Sequence, residues 1–402
     1  MNIVMISVGD EILKQPLGDE IERHVEYARR AGGQIHMITY SLARRKLIPR
    51  CFDNQFFVYP SCSLSPFMFP YDAYRQAKSL CQRIQFDLIY TQDPFGTALV
   101  GRWLHKRFGI PFIIGNHSDF IDNPYWIAER PIFFSFLNRL AKYTLPKANA
   151  WRVVNASQKN IYVRNLQLPS DRIFICHTPV YLERFLHPVD QATRLKIRHQ
   201  LGIESDTPVL LWVGRPTRVK RLPILLRAFR HVVDSLPDSK LILVGKKKYV
   251  REDLDAEILN LNLKETVVWV QDGVRHEELP GYYQMADVYI QTSQYEGCCK
   301  AIIEAALSGL PIVSTDAAAL GTQNIIRQPE TGFLVPVDDV FALAEKVLWL
   351  FKNPEQARLM GNKMRRNAIT TFDREKSVQS IVKMWQEVAF SSKEINKGEV
   401  RY

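Results

Sequence analysis

Two glutamates eight positions apart, Glu296 and Glu304, frame a segment suited to a charged, polyhydroxylated ligand. It reads Tyr295-Glu-Gly-Cys-Cys-Lys-Ala-Ile-Ile-Glu304 and continues through Ser308-Gly-Leu-Pro-Ile-Val-Ser-Thr-Asp316. The segment follows the apolar run Val288–Gln291 and opens an apolar helical pattern. Gly297, Cys298, Cys299 and Lys300 are therefore expected to offer unpaired backbone N–H groups at a helix N-terminus, where an anion is favoured. On a helix, eight positions span at most about 12 Å. That spacing fits an extended nucleotide diphosphate sugar, with one carboxylate for sugar hydroxyls, one for ribose hydroxyls, and the diphosphate at the positive helix end. Val213-Gly-Arg215-Pro-Thr-Arg-Val-Lys220 adds two cations for the same phosphates. Arginine grips phosphate oxygens in pairs, lysine adds a compact charge, and together they can stabilise a departing diphosphate without a metal.

Residues of this kind need rigid elements to aim them. Short β-branched runs alternate with longer helical patterns, the rhythm of parallel sheets with crossover helices. In the first half the strand candidates are Ile3–Val8, Gln34–Tyr40, Leu88–Tyr90, Pro111–Gly115, Ala150–Val154 and Arg172–Cys176, with helices at Glu20–Ala31 and Gly96–Phe108. The rhythm restarts with Val209–Val213, Leu241–Val244, Val267–Val270, Val288–Gln291 and Pro311–Ser314. The expected fold is α/β, with two doubly wound Rossmann-like domains facing an interdomain cleft, since such sheets bind ligands beyond the carboxyl ends of their strands. His187–Thr207, which holds Arg194, Lys196 and Arg198, reads as the boundary. The expected domains are 1–187, 188–372 and a terminal helical stretch, 373–402, that packs back on the first domain and frays at its end.

Composition narrows the class. The chain has 402 residues, 46% hydrophobic and 24% charged, so disordered and low-complexity classes are excluded. No run of about 18 apolar residues occurs and the apolar start breaks at Gly9, so neither a spanning helix nor a signal peptide is expected, and the protein is expected in the cytoplasm. The six cysteines form neither a zinc pattern nor a disulfide framework. Of the net charge of +11, +8 lies in residues 1–187, which favours an anionic partner. Tyr125–Trp151 interleaves aromatic residues with Arg130, Arg139, Lys142 and Lys147. It reads equally as a core helix with a basic edge and as a helix on an anionic membrane surface. Lys246–Lys248 and Asp253-Leu-Asp255 read as solvated surface, and Cys298 and Cys299 as backbone contributors, with no base nearby to activate a thiol.

Taken in order, Gly214-Arg215 with Lys220, Glu296 with Glu304, Ala286-Asp-Val, Gly309-x-Pro311 and Thr331-Gly-Phe-Leu-Val-Pro336 resemble the retaining glycosyltransferases of the GT-B fold, the family called group 1 or family 4. Leu17-Gly18-Asp-Glu and Gly109-Ile-Pro-Phe-Ile-Ile-Gly-Asn-His117 resemble its glycine loop and its histidine after a strand. The loop's glycine pair is reduced to Gly18 followed by Asp19, and Cys299 stands where Gly or Pro is frequent. The resemblance implies that Gly18 lets its loop approach the donor and that His117 lies beside the transferred sugar. It also implies that Arg215 and Lys220 bind the diphosphate, Glu296 the sugar and Glu304 the ribose.

The expected activity is transfer of a sugar from a nucleotide diphosphate sugar to a glycan or lipid-linked acceptor, with retention and without metal or resident cofactor. The setting would be surface polysaccharide or glycolipid assembly at the inner membrane face. His117 and Glu296 are the expected catalytic residues. Alternatives are a nucleotide-sugar epimerase of the same architecture, a catalytically silent subunit of the same fold and, from the charge alone, a nucleic-acid-binding protein. No nucleic-acid module emerges, so no nucleic-acid partner is expected.

Overall fold

The computed structural model describes residues 1–14, 18–179, 183–247 and 253–398, with side chains as far as Ser391. The chain divides into two compact units, Met1–Pro179 with Glu375–Tyr402, and Val180–Arg374. The division falls ahead of the expected residue 187. Helix Glu183–Leu186 goes with the second unit because Phe185 is fully buried in that unit's core.

In the first unit eight strands form one sheet: β1 Ile3–Ser7, β2 Ile35–Thr39, β3 Arg50–Phe52, β4 Phe56–Pro60, β5 Leu88–Thr91, β6 Phe112–Gly115, β7 Ala150–Val153 and β8 Ile173–Ile175. Their order is β3-β4-β2-β1-β5-β6-β7-β8, parallel except for β3 against β4. Every residue of β1, β2, β5, β6 and β7 is buried, as covered parallel sheets require. One face carries helix Asp19–Ala31 and the terminal helix Arg374–Gly398. That second helix inserts Val378, Ile381, Met384 and Trp385 into the same core as Met5 and Tyr90. Helices Phe69–Cys81 and Gly96–Phe108 pack on the other face.

The second unit holds six parallel strands: β9 Val209–Val213, β10 Lys240–Val244, β11 Val267–Val270, β12 Val288–Gln291, β13 Ile312–Thr315 and β14 Gly332–Val335. Their order is β11-β10-β9-β12-β13-β14. The strand order therefore reverses between β9 and β12, and in the first unit between β1 and β5; at such points the loops leaving adjacent strands part to make room for a ligand. Two hydrophobic cores flank this sheet.

His187–Thr207 is not a plain linker. Helix Gln191–Gln200 begins at Asp190, whose side chain accepts from the Thr193 amide at 2.8 Å, and its Arg198 is buried. The guanidinium donates to the carbonyls of Met285, Glu204, Ser205 and Thr207 and pairs with Asp287 at 3.1 Å. Asp287 also accepts from the Val209 amide at 2.8 Å. The Ala286-Asp-Val motif thus clamps the amino ends of β9 and β12.

Candidate functional site

Most of the expected residues stand at the carboxyl edge of the second sheet, across its switch point. β9 ends at Val213, and the chain turns through Gly214 and Arg215 into a short 3-10 turn, Arg218–Lys220. β12 ends at Gln291, and Thr292–Cys299 leads into helix Lys300–Leu307. The two loops are tied: Gln294 N donates to Val219 O at 2.9 Å, and Thr292 Oγ1 to Lys220 O at 2.7 Å. A third loop closes beneath them, because a Cβ on Gly245 would lie 2.1 Å from the Gly214 carbonyl oxygen. A fourth approaches from the side of β13, where a Cβ on Gly321 would lie 2.2 Å from the Gly297 carbonyl oxygen. Glycine at 245 and 321 is the condition for these backbones to touch.

The centre of the edge is an ion pair between Lys220 Nζ and Glu296 Oε1, both side chains largely buried. Burial alone lowers the Lys220 ammonium, but Glu296 more than offsets it and holds it above the ordinary lysine value, while Arg215 pulls the other way. Behind Glu296 runs a buried relay. Ser293 Oγ donates to Glu296 Oε1 at 2.9 Å, Gln291 Nε2 to Ser293 Oγ at 2.7 Å, and Tyr289 OH to Gln291 Oε1 at 2.8 Å. Burial, with Cys299, Glu304 and Glu296 adding, pushes the Tyr289 phenol well above its usual range, so it stays a donor. Arg215 is exposed, and among the described residues its guanidinium has no carboxylate partner. It is a cation at this edge left open to a ligand.

Helix Lys300–Leu307 begins at the last of the four residues expected to offer amides, with Cys299 as its cap. Gly297 and Cys298 lie in the preceding turn under Gly321, and along with Lys300 they are already engaged in contacts. Glu296 consequently lies outside the helix, and only Glu304 is on it. Lys220 is held in its ion pair with Glu296, beside the exposed Arg215.

Glu304 is 6% exposed and faces inward, accepting from Tyr283 OH at 2.9 Å with His276 Nε2 at 3.4 Å. Burial raises the Tyr283 phenol well above its usual range, and Glu304 adds to the rise. Burial pushes the Cys299 thiol up to about 12, so it is inert, and no catalytic thiol arises there. Sequence reasoning missed Tyr283, His276, Ser293, Gln291 and Tyr289. For Tyr289 and Gln291 a signal existed, since the two positions share one face of β12; for His276, 28 residues from Glu304, none did.

His117 and Gly18 belong to the first unit. Gly18 caps helix Asp19–Ala31, its carbonyl accepting from the amides of Ile21 and Glu22; Leu17, named with it in the loop, lies outside the described residues. His117 follows β6 after Asn116 and lines a cavity of about 190 Å³ at the carboxyl edge of the first sheet. Glu20, Arg23, His24 and Tyr27 from the helix that Gly18 opens line the same cavity, with Tyr90, Gln92 and Arg152 from the sheet side and Trp385 from the terminal helix. A separate cavity of about 720 Å³, lined by Arg194, Asp287 and Ser308 among others, opens at the amino edge of the second sheet. No expected site residue lines it.

Elsewhere, Asp253 caps helix Leu254–Asn260 and Asp255 pairs with Lys247, as surface residues do; Lys248 and Arg251 lie outside the described residues. The segment Tyr125–Trp151 divides. Trp126 stacks on Phe134 at 4.5 Å and Trp151 is buried, so these are core residues. Ile132, Phe136 and Tyr143 are exposed along helix Pro131–Thr144, with exposed Arg139 among them.

Comparison with known proteins follows this division. Residues 21–184 match the model of Glycosyltransferase Family 4, and residues 193–367 that of Glycosyl transferases group 1. The alpha-monoglucosyldiacylglycerol synthase of Streptococcus pneumoniae is 26% identical over 256 residues, 61% of this chain and 55% of that protein. The chain spans about half the length of the first curated relatives it matches. Sucrose-phosphate synthase from Thermosynechococcus elongatus superposes with a TM-score of 0.81 at 23% identity, covering 97% of this chain and 99% of that one. HepE from Anabaena, solved in complex with UDP-glucose, gives a TM-score of 0.73 at 18% identity, covering 96% and 100%. Two switch-point sheets, each under its own family model, have a single common reading: the chain belongs to the group 1, family 4 glycosyltransferases of the GT-B fold.

Proposed function

We propose that the protein transfers a sugar from a nucleotide diphosphate sugar to an acceptor hydroxyl. The observation that carries this is Arg215, an arginine with no carboxylate partner among the described residues, standing at the sheet edge where Lys220 and Glu296 are already held together. A fixed ion pair beside an open guanidinium suits a ligand that brings its own negative charge and hydroxyls. The diphosphate would meet Arg215, and Glu296, held by Lys220 and Ser293, would turn its remaining acceptor capacity toward sugar hydroxyls. Glu304 would serve the ribose. HepE is a protein described with UDP-glucose, which supports a uridine nucleotide as the first donor to test.

The chemistry follows by retention on one face of the sugar. The bond from the anomeric carbon to the leaving phosphate oxygen breaks as the acceptor oxygen bonds to the same carbon, and the acceptor proton passes to the departing phosphate. Arg215 and Lys220 take up the growing phosphate charge, so the step calls on no resident metal or cofactor. The resemblance gives His117 and Gly18 the orienting of the sugar. The Streptococcus pneumoniae relative being an alpha-monoglucosyldiacylglycerol synthase, a lipid-linked or glycan acceptor suits this chain, and the exposed face of Ile132, Phe136, Arg139 and Tyr143 suits an anionic membrane surface at the cytoplasmic side.

The test is donor hydrolysis and transfer by purified protein over a panel of nucleotide sugars, with a lipid extract as acceptor source. Release of nucleoside diphosphate, lost in Arg215→Ala, is expected. Appearance of an epimer from donor alone would assign the epimerase instead, and no turnover of any donor would leave a silent subunit.

A further inference from the structure

Arg152, near the carboxyl end of β7, is 5% exposed. Its Nε donates to Cys176 O at 3.1 Å, Nη1 to Tyr90 OH at 3.1 Å and Nη2 to Thr178 Oγ1 at 3.3 Å. Every partner is neutral. Among the described residues, each terminal nitrogen keeps a second N–H with no partner and no carboxylate lies within ion-pairing distance. A buried guanidinium without a counter-charge costs several kcal/mol or so, and chains seldom retain one without a partner to match it.

The cavity that Arg152 lines is biased toward anions. Arg23 stands in its wall, paired with Asp19 only at 3.4 Å, and Glu20 is the one carboxylate of the lining. His24, buried and neutral, is held low first by burial and then by the charges of Arg23 and Arg152 together. Gln92 is fixed at the switch point, accepting from Ser7 Oγ at 2.7 Å, and His117 completes the rim. At about 190 Å³ the space suits a charged headgroup and a few attached atoms rather than a whole sugar nucleotide.

We propose that Arg152 is the recognition residue of an oxyanion site in the first unit, taking a carboxylate or phosphate carried by the acceptor. That the anion belongs to the acceptor rests on the transfer reading above; that an oxyanion binds at Arg152 does not.

The experiment is calorimetric titration of the full chain at constant ionic strength with glycerol 3-phosphate, glycerate and glycerol. It is run on the wild type and on an Arg215→Ala background, which removes the competing anion ligand of the second unit. One or both of the charged probes should saturate a site in both proteins while glycerol does not, and the tighter of the two identifies the oxyanion. Arg152→Lys should weaken that binding about tenfold or more, because the paired donors of the guanidinium are lost. Glu20→Gln, at the half-buried wall, should tighten it severalfold and reads the site even if the Arg152 variant does not fold. Absence of saturable binding, equal binding of glycerol, unchanged affinity in Arg152→Lys or unchanged affinity in Glu20→Gln would each overturn the proposal. Anion binding at Arg152 without turnover of any nucleotide sugar would refute the transfer reading alone. Turnover without anion binding would refute this site alone.

Discussion

Lys220 and Glu296 illustrate what a linear reading cannot reach. Each residue type and position was legible as ligand-binding, but their ion pair joins positions 76 apart and forms only because the loops after β9 and β12 are tied by Gln294 and Thr292. The pairing alters what mutation should do. Lys220→Met leaves a largely buried carboxylate without its counter-charge and should destabilise the second unit by about 1–3 kcal/mol in denaturant unfolding. The double variant with Glu296→Gln should be less destabilised than the two single variants summed, so a double-mutant cycle should show coupling. Additive losses would mean that the pair does not act as one unit. Arg215→Ala, by contrast, should leave stability unchanged within about 0.5 kcal/mol, since the residue is exposed and unpaired. His24 gives a pH signature. Burial holds its imidazole down to about 3, against about 6.5 in the unfolded chain. Below pH 6.5 or so the unfolded chain takes up the proton and the folded one does not, so this residue's contribution is complete at higher pH and is lost on acidification. Unfolding of His24→Phe and wild type at several pH values should diverge by about 1.4 kcal/mol per pH unit from about pH 6 downward, the wild type losing more. Parallel curves would show that the imidazole titrates normally.

At the level of elements, the buried strands and the amphipathic helices were legible because their hydrophobic pattern is continuous or periodic. Helix Gly96–Phe108 has the bounds its pattern gives, stopped by Gly109 at φ +69°. The strands absent from the sequence reading, β3, β4 and β14, are short or lie toward a sheet edge. β3 is not buried, and β4 alternates buried and half-buried positions within an aromatic run. Alternation so brief is hard to tell from a loop. The helix start at Lys300, capped by Cys299, was legible from the apolar pattern, whereas the close approach of Gly321 to Gly297 and Cys298 is a contact no local pattern encodes. That close packing also makes a prediction. Gly245→Ala places a methyl group against the Gly214 carbonyl and should displace the loop carrying Arg215, weakening nucleotide binding with little change in overall helix content by circular dichroism. Undiminished nucleotide affinity would show that the loop's position is not set there.

Across the whole molecule, the two sheets followed from the rhythm of the sequence, while the division at Pro179 depended on where one side chain, Phe185, is buried. Trp385 is 1% exposed and packs edge-on to Tyr27 and Tyr90, both at 5.4 Å. Trp385→Ala should therefore cost the first unit about 3–5 kcal/mol, although the residue lies more than 370 positions after β1 in sequence. No helix among the described residues is long and apolar enough to cross a membrane, and the membrane contact proposed above is a surface one. Ile132→Glu with Phe136→Glu should lower sedimentation with anionic vesicles and leave nucleotide binding intact; equal sedimentation would remove that surface from the account.

The central claim is that the carboxyl edge of the second sheet, at Arg215, Lys220 and Glu296, holds a nucleotide diphosphate. Titrating the full chain with UDP in a calorimeter, beside Arg215→Ala, tests it most directly. The account predicts saturable binding to the wild type, weakened about tenfold or more by Arg215→Ala at unchanged stability. Equal affinity in the two proteins would contradict it, as would failure of every nucleoside diphosphate in a uridine, guanosine and adenosine series to bind.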